Sequence, residues 1–137
     1  MKQWEIQRAV YQTLVGHQPL MDIIDAVYDH VPQDSSYPYV VIGDDTGLQW
    51  DTGSSVGTES TLTIHVWSRE LGRKETKEIM NLVYEVLHLS NLPIEDMVSV
   101  LCHWEFSETF LDPDGITRHG VSRFRIIADE GETIPES

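Results

Sequence analysis

Tyr37-Pro38-Tyr39-Val40-Val41-Ile42-Gly43 is the stretch that decides the fold. A polar approach, Val31-Pro32-Gln33-Asp34-Ser35-Ser36, runs into Pro38, and Tyr39 to Gly43 then read as strand. Val40, Val41 and Ile42 are β-branched and favour pleated backbone. Pro38 has no N–H to give a ladder, so it belongs at a strand start or on an edge. Tyr37, before a proline, prefers extended geometry and leads straight in. The unbroken apolar run reads as burial on both faces, between a helix layer and a second layer or a partner chain.

Upstream, Ile6, Val10 and Leu14 recur at i, i+4 and i+8, which predicts a helix over residues 2–15. Gly16 stops it, and Pro19 opens a further helical turn or two towards Asp25. Ala26-Val27-Tyr28 then read as extended. Downstream, residues 44–57 are rich in Gly, Asp, Ser and Thr and predict a long loop. Loops that long in a compact domain are usually functional or disordered. The expectation here is a mobile loop that orders on assembly, anchored by Trp50, with Asp44, Asp45 and Asp51 around it. Deleting residues 47–55 is expected to leave the fold intact.

Strict alternation then predicts a strand over 58–67, with Leu62, Ile64 and Val66 on one face and Thr61, Thr63, His65 and Trp67 on the other. It pairs with strand 38–43 as a hairpin. Ile79, Leu82, Val83, Val86 and Leu87 form one stripe, which predicts a helix over 73–89. Strands at 98–111 and 117–128 flank the turn Asp112-Pro113-Asp114-Gly115. Val98, Val100, Cys102, Trp104, Phe106 and Phe110 are expected to share the inner face of the first. The result is a two-layer α+β domain of order α-β-β-α-β-β. A mainly antiparallel four-stranded sheet is covered on one face by two helices. The domain spans residues 1–128, and 129–137 form an acidic tail. The uncovered face carries Thr61, Thr63, His65, Trp67, Leu101, His103 and Glu105, a mixture suited to a subunit interface.

A length of 137 residues fits one domain with a real core. There are 23 acidic and 9 basic residues, for a net charge of −14. Such a chain repels nucleic acid rather than gripping it. From Leu20 to Ser68 there is no Lys or Arg at all. Arg69, Arg73, Lys74 and Lys77 gather at the start of the second long helix, where they are expected to meet acidic residues of a neighbouring subunit. No run approaches the ~18 apolar residues of a membrane helix, and Met1-Lys2-Gln3-Trp4-Glu5 lacks a signal-peptide core, so cytoplasmic synthesis is expected.

Chemistry is sparse. The single cysteine, Cys102, forms no disulfide within the chain. No two histidines have the i, i+4 spacing of a zinc helix, although His65 and His103 are placed to meet on the open face. Asp51-Thr52-Gly53 resembles the aspartic-protease triplet. That chemistry needs two carboxylates sharing a proton, so this chain would have to act as a dimer. No phosphate loop, dinucleotide motif or nucleophile elbow is present. No cofactor, metal or catalytic residue is expected.

The order and spacing of several segments carry a resemblance. They are Val27-Tyr28-Asp29-His30-Val31-Pro32-Gln33-Asp34, Tyr37 to Gly43, Leu62-Thr63-Ile64-His65-Val66-Trp67-Ser68-Arg69, Gly72-Arg73-Lys74-Glu75, Asp112-Pro113-Asp114-Gly115 and His119-Gly120-Val121-Ser122-Arg123-Phe124-Arg125. Together they resemble the tail-completion family of long-tailed phages. These proteins are also called tail-to-head joining or tail-terminator proteins, and occur in prophages and gene transfer agents. The resemblance implies a virion structural protein at the head–tail junction, made in the bacterial host cytoplasm, with no catalytic residues. It implies a homo-oligomeric ring, usually a hexamer, that caps the tail tube protein and docks it to the head-completion or connector protein. DNA would pass through without specific binding. The interface residues expected on this reading are Asp44, Asp45, Trp50, Asp51, His65, Trp67, Arg69, Arg73, Lys74, Lys77 and His103.

Overall fold

The computed structural model describes residues 2–51, 53 and 55–132. The elements run α1 (Gln3–Val15), α2 (Gln18–Met21), β1 (Ala26–Tyr28), β2 (Tyr39–Gln49), β3 (Ser55–Ser68), α3 (Lys74–Leu87), β4 (Ser99–Leu111) and β5 (Arg118–Glu132). The strands make one sheet in the order β1-β2-β3-β5-β4. Every joint is antiparallel except the first, where β1 lies parallel to β2.

The helices bury the stripes that their spacing assigns. Ile6, Ala9, Val10 and Leu14 of α1 and Ile79, Met80, Val83 and Leu87 of α3 pack in one core. That core also takes Val40 and Ile42 from β2, Leu62, Ile64 and Val66 from β3, and Phe124, Ile126 and Ala128 from β5. Removing these side chains from water is the main favourable term in folding. Gly120 lets α3 approach the sheet, since a Cβ there would lie 2.4 Å from Met80 Sδ. The turn after β4 is tied by Asp114, whose carboxylate accepts from the N–H groups of Ile116 and Thr117 and from the Thr117 hydroxyl. Those bonds hold its pKa down at about 2, and Gly115 supplies the positive φ of 73°.

The α+β class and the long helices agree with expectation, but the sheet differs in four ways. It has five strands, not four, and a third, short helix. The fifth is β1, the Ala26-Val27-Tyr28 that reads as extended but lies outside the expected four strands, and the short helix α2 is the further helical turn expected after Pro19. Val27 alone of the three is buried, and Asp25 N–H donates to Pro38 O at the strand's entry.

The expected loop at 44–57 is mostly strand. Thr46 faces Thr61, Gly47 faces Ser60, Leu48 faces Glu59, and Trp50 N–H donates to Gly57 O. Backbone groups must be satisfied whatever the side chains prefer, and β3 offers this polar span a full ladder. A register shift between Ile42 and Asp45 absorbs the change of composition.

The third difference is a bulge in β4 between Trp104 and Phe106. It inserts one residue and so reverses which side chains face the helices. Val100 and Cys102 are buried as expected, and Trp104 still points to the helix side, where its indole N–H donates to Ser107. Phe106 and Phe110 cross to the opposite face and are not core. Val98 precedes the strand and is 72% exposed. Finally, β5 continues to Glu132, so residues 129–132 extend the strand rather than begin the tail. Residues 133–137 lie outside the described residues.

Candidate functional site: the open sheet face and its edges

The helices cover one face, and the other is formed by alternate residues of every strand. Tyr28, Tyr39, Trp67, His119 and Phe110 lie along one end of it. Tyr39, Trp67, His119 and Phe110 are direct cross-strand partners in sequence across the sheet. Rings touch at the β1–β2 end and again from β3 to β4, with Tyr39 and Trp67 as cross-strand neighbours between the two groups. Tyr28 meets Tyr39 edge-on at 5.6 Å, Trp67 stacks on His119 at 3.7 Å, and Phe110 meets His119 at 4.7 Å. Aromatic rings at such spacings attract beyond their area burial. The row is thus a belt that reaches from the β1 edge to the β4 edge.

His65 lies beside the belt. Its Nδ1 is 2.7 Å from His119 Nε2, and its ring lies over Gly43, where a Cβ would come within 2.6 Å of it. His103, expected to meet His65, instead has the ring of His88 at 5.4 Å. Burial lowers the His119 pKa to about 4, with His65 adding repulsion and Asp112 opposing. Burial lowers His65 as well.

Both rings are therefore held neutral, and this fixes the sign of the pH response. The folded values lie below the unfolded 6.5. The stabilisation is complete above that pH and is lost as pH falls towards about 4, because the unfolded chain takes protons that the fold refuses. The urea midpoint of wild type should accordingly drop between about pH 7 and pH 5. In His119→Phe it should drop by much less. Equal drops in the two proteins would show that the cluster does not govern the response.

Further along the face, Arg125 pairs with Glu59 at 2.5 Å and Arg123 lies 4.0 Å from Glu105. Glu108 adds a further carboxylate. The first half of the β4 edge is capped: Leu89 N–H donates to Cys102 O, and Trp104 N–H donates to His88 Nδ1. Beside its second half runs a groove of about 370 Å³, lined by Lys77, Met80, Tyr84, Trp104, Ser107 and Thr109, among others. On the open face of the same half, Phe106 and Phe110 are 43% and 41% exposed.

The expected interface residues do not form one patch. His65 and Trp67 sit in the belt system. Lys77 lines the edge groove, with Arg73 one turn earlier, while Lys74 pairs with Glu78 on the exposed side of α3. Arg69 is engaged within the chain, over the Tyr37 ring at 4.3 Å and donating to Thr117 Oγ1. Asp44 and Asp45 belong to β2, where Asp45 accepts from the Gln3 amide. Trp50 is half-buried over Gly57 and is no free anchor. Asp51 is exposed at the hairpin tip and accepts from Gln49, far from the buried shared-proton geometry of a protease. Thr52 lies outside the described residues. Among the described residues no His, Cys, Asp or Glu cluster could hold a metal ion. Cys102 is buried in the core, which pushes its thiol up to about 12. Sequence reasoning missed Tyr28, Phe106, Phe110 and His119 as members of this surface. The bulge hides the phenylalanines, and His119 joins the belt only by register.

Comparison with known proteins supplies what geometry cannot. Residues 8–129 match the family model described as tail completion protein gp17. The tail completion protein gp17 of Bacillus phage SPP1 is 34% identical over 120 residues, covering 88% of this chain and 89% of that protein. The solved structure of bacteriophage SPP1 gp17 is similar, with a TM-score of 0.61 at 30% identity over 88% of this chain and 86% of the other. A chain in the virion of a native gene transfer agent particle shares the fold, with a TM-score of 0.81 at 21% identity over 90% and 93% of the two chains. The chain belongs to the tail completion protein gp17 family.

Proposed function

We propose that this chain is a virion structural protein of the head–tail junction in a phage, prophage or gene transfer agent. It completes the tail by forming a ring, a hexamer on the family's pattern, that caps the tail tube and docks to the head connector. Family membership supports the tail-completion role. The observation that carries the ring is the uncovered sheet face, whose aromatic belt runs to a β4 edge that is half uncapped. A long apolar edge left open invites uncontrolled pairing, and a closed head-to-tail ring consumes it.

The channel follows from charge. Both arginines on the open face are matched by carboxylates, and Glu108 is in excess. With the whole chain at −14, a lumen lined by this face repels the phosphate backbone and lets DNA slide. The protein acts by assembly and not by catalysis. The test is joining itself: particles made without this chain should accumulate as DNA-filled heads and separate tails, and the purified protein should restore joining.

A further inference from the structure

We infer that the ring joint is an antiparallel pairing of the free half of β4 in one copy with β1 of the next, so that the aromatic row continues from copy to copy around the ring. This rests on the ring reading above and names its contact.

Strand direction comes first. Along β2-β3-β5-β4 each joint reverses direction, so β4 runs opposite to β2, and β1 runs with β2. Copies related by rotation about an axis along the strands therefore bring β1 of one beside β4 of the next in antiparallel sense.

Height comes second. β1 pairs with Tyr39 to Val41, whose levels on β4 run from Phe110 to Glu108: Ala26 lies at the Phe110 level, along the row Tyr39, Trp67, His119 and Phe110, and Tyr28 at the Glu108 level, along the row Val41, His65, Val121 and Glu108. The half of β4 at that level is the one that His88 and Leu89 leave uncapped. The rival edge, the outer half of β2 with Leu48, lies at the other end of the sheet, level with the capped half of β4.

Side-chain parity comes third. Tyr28 is on the open face of β1, as Phe110 is on β4, and across the joint the two are diagonal neighbours, a separation that aromatic side chains span. Asp25 and Asp29 flank β1 with the parity of the buried Val27, on the helix side, and both are exposed. Lys77, in the groove beside the free half of β4, is also on the helix side, and Arg73 precedes it by one turn. Acids and bases thus meet on one face while aromatics meet on the other.

The experiment uses Ala26→Cys with Phe110→Cys in the full chain, the open-face pair that the registers place at one level. Within one copy these positions are four strand spacings apart, roughly 19 Å, too far for a disulfide. Between paired copies they fall within its reach. Oxidation of the folded protein at high concentration should give a ladder of oligomers, and the pair Leu48→Cys with Phe110→Cys should not. In parallel, Arg73→Glu with Lys77→Glu should weaken association by about tenfold or more at low salt. Adding Asp25→Lys and Asp29→Lys to the same chain should restore it. High salt should weaken the wild type, because screening shortens to ~3 Å near 1 M. Oligomers without the Ala26–Phe110 ladder, or with the Leu48 ladder in its place, would overturn this joint and leave the ring standing. A protein that stays monomeric under all these conditions, with no ladder from either pair, would overturn the ring as well.

Discussion

Phe124→Ala should destabilise the fold by about 3–5 kcal/mol. The side chain is 1% exposed on the interior strand β5, between Leu62 on β3 and Trp104 on β4. Its removal deletes a large apolar surface and leaves a cavity that a five-stranded sheet cannot collapse into without breaking ladders. Domains have only about 5–15 kcal/mol in total, so the loss should lower Tm on the order of 10–20 °C. Phe110→Ala is the matched control. Its ring is 41% exposed at the sheet edge, and it should cost under about 1.5 kcal/mol in the isolated chain while removing one end of the belt. Urea titrations of the two variants check this. Similar costs would mean that Phe110 and Phe124 share one environment, against the face reversal at the β4 bulge.

Gly57→Val should cost about 3 kcal/mol. A Cβ at this position would meet Trp50 Cε3 at 2.6 Å, Ala128 O at 2.7 Å and Trp50 O at 2.9 Å. Ala128 O belongs to the β5 ladder and Trp50 is tied to Gly57 by its own N–H, so neither backbone oxygen withdraws cheaply. At the hairpin tip, a Cβ at Gly53 meets nothing within 4 Å, so Gly53→Ala should be neutral to within about 0.5 kcal/mol. The contrast decides whether residues 44–57 are strand or loop. A benign Gly57→Val would return them to the loop that their composition suggests.

That segment shows why part of the fold was hidden in the sequence. Hydrophobic period reports burial. The core stripes of α1 and α3, and the alternation of Leu62, Ile64 and Val66, were legible because each buries one face. The outer half of β2 buries little; its strand is dictated by the ladder β3 offers, which no pattern in Asp44-Asp45-Thr46-Gly47 announces. β1 read as extended, but three residues gave no sign of which strand it would pair with. The bulge at Glu105 turned a clean alternation into a wrong face for Phe106 and Phe110, because one inserted residue reverses parity without altering the pattern around it. The open face was legible through Thr61, Thr63, His65 and Trp67. Its organising residue, His119, was not, since it reaches Trp67 only through the register of β3 with β5. The cluster at Arg69, Arg73, Lys74 and Lys77 read as one basic patch. Arg69 turns inward onto Tyr37, and Lys77 stands at the edge groove.

The most direct measurement of the central claim is the count of joined particles produced with and without this chain. Without it, electron micrographs should show filled heads and full-length tails lying apart. Adding the purified protein should restore joined particles, with ring-shaped density at the tube end that meets the head. Normal joining in its absence, or protein bound along the tube rather than at its end, would contradict the account.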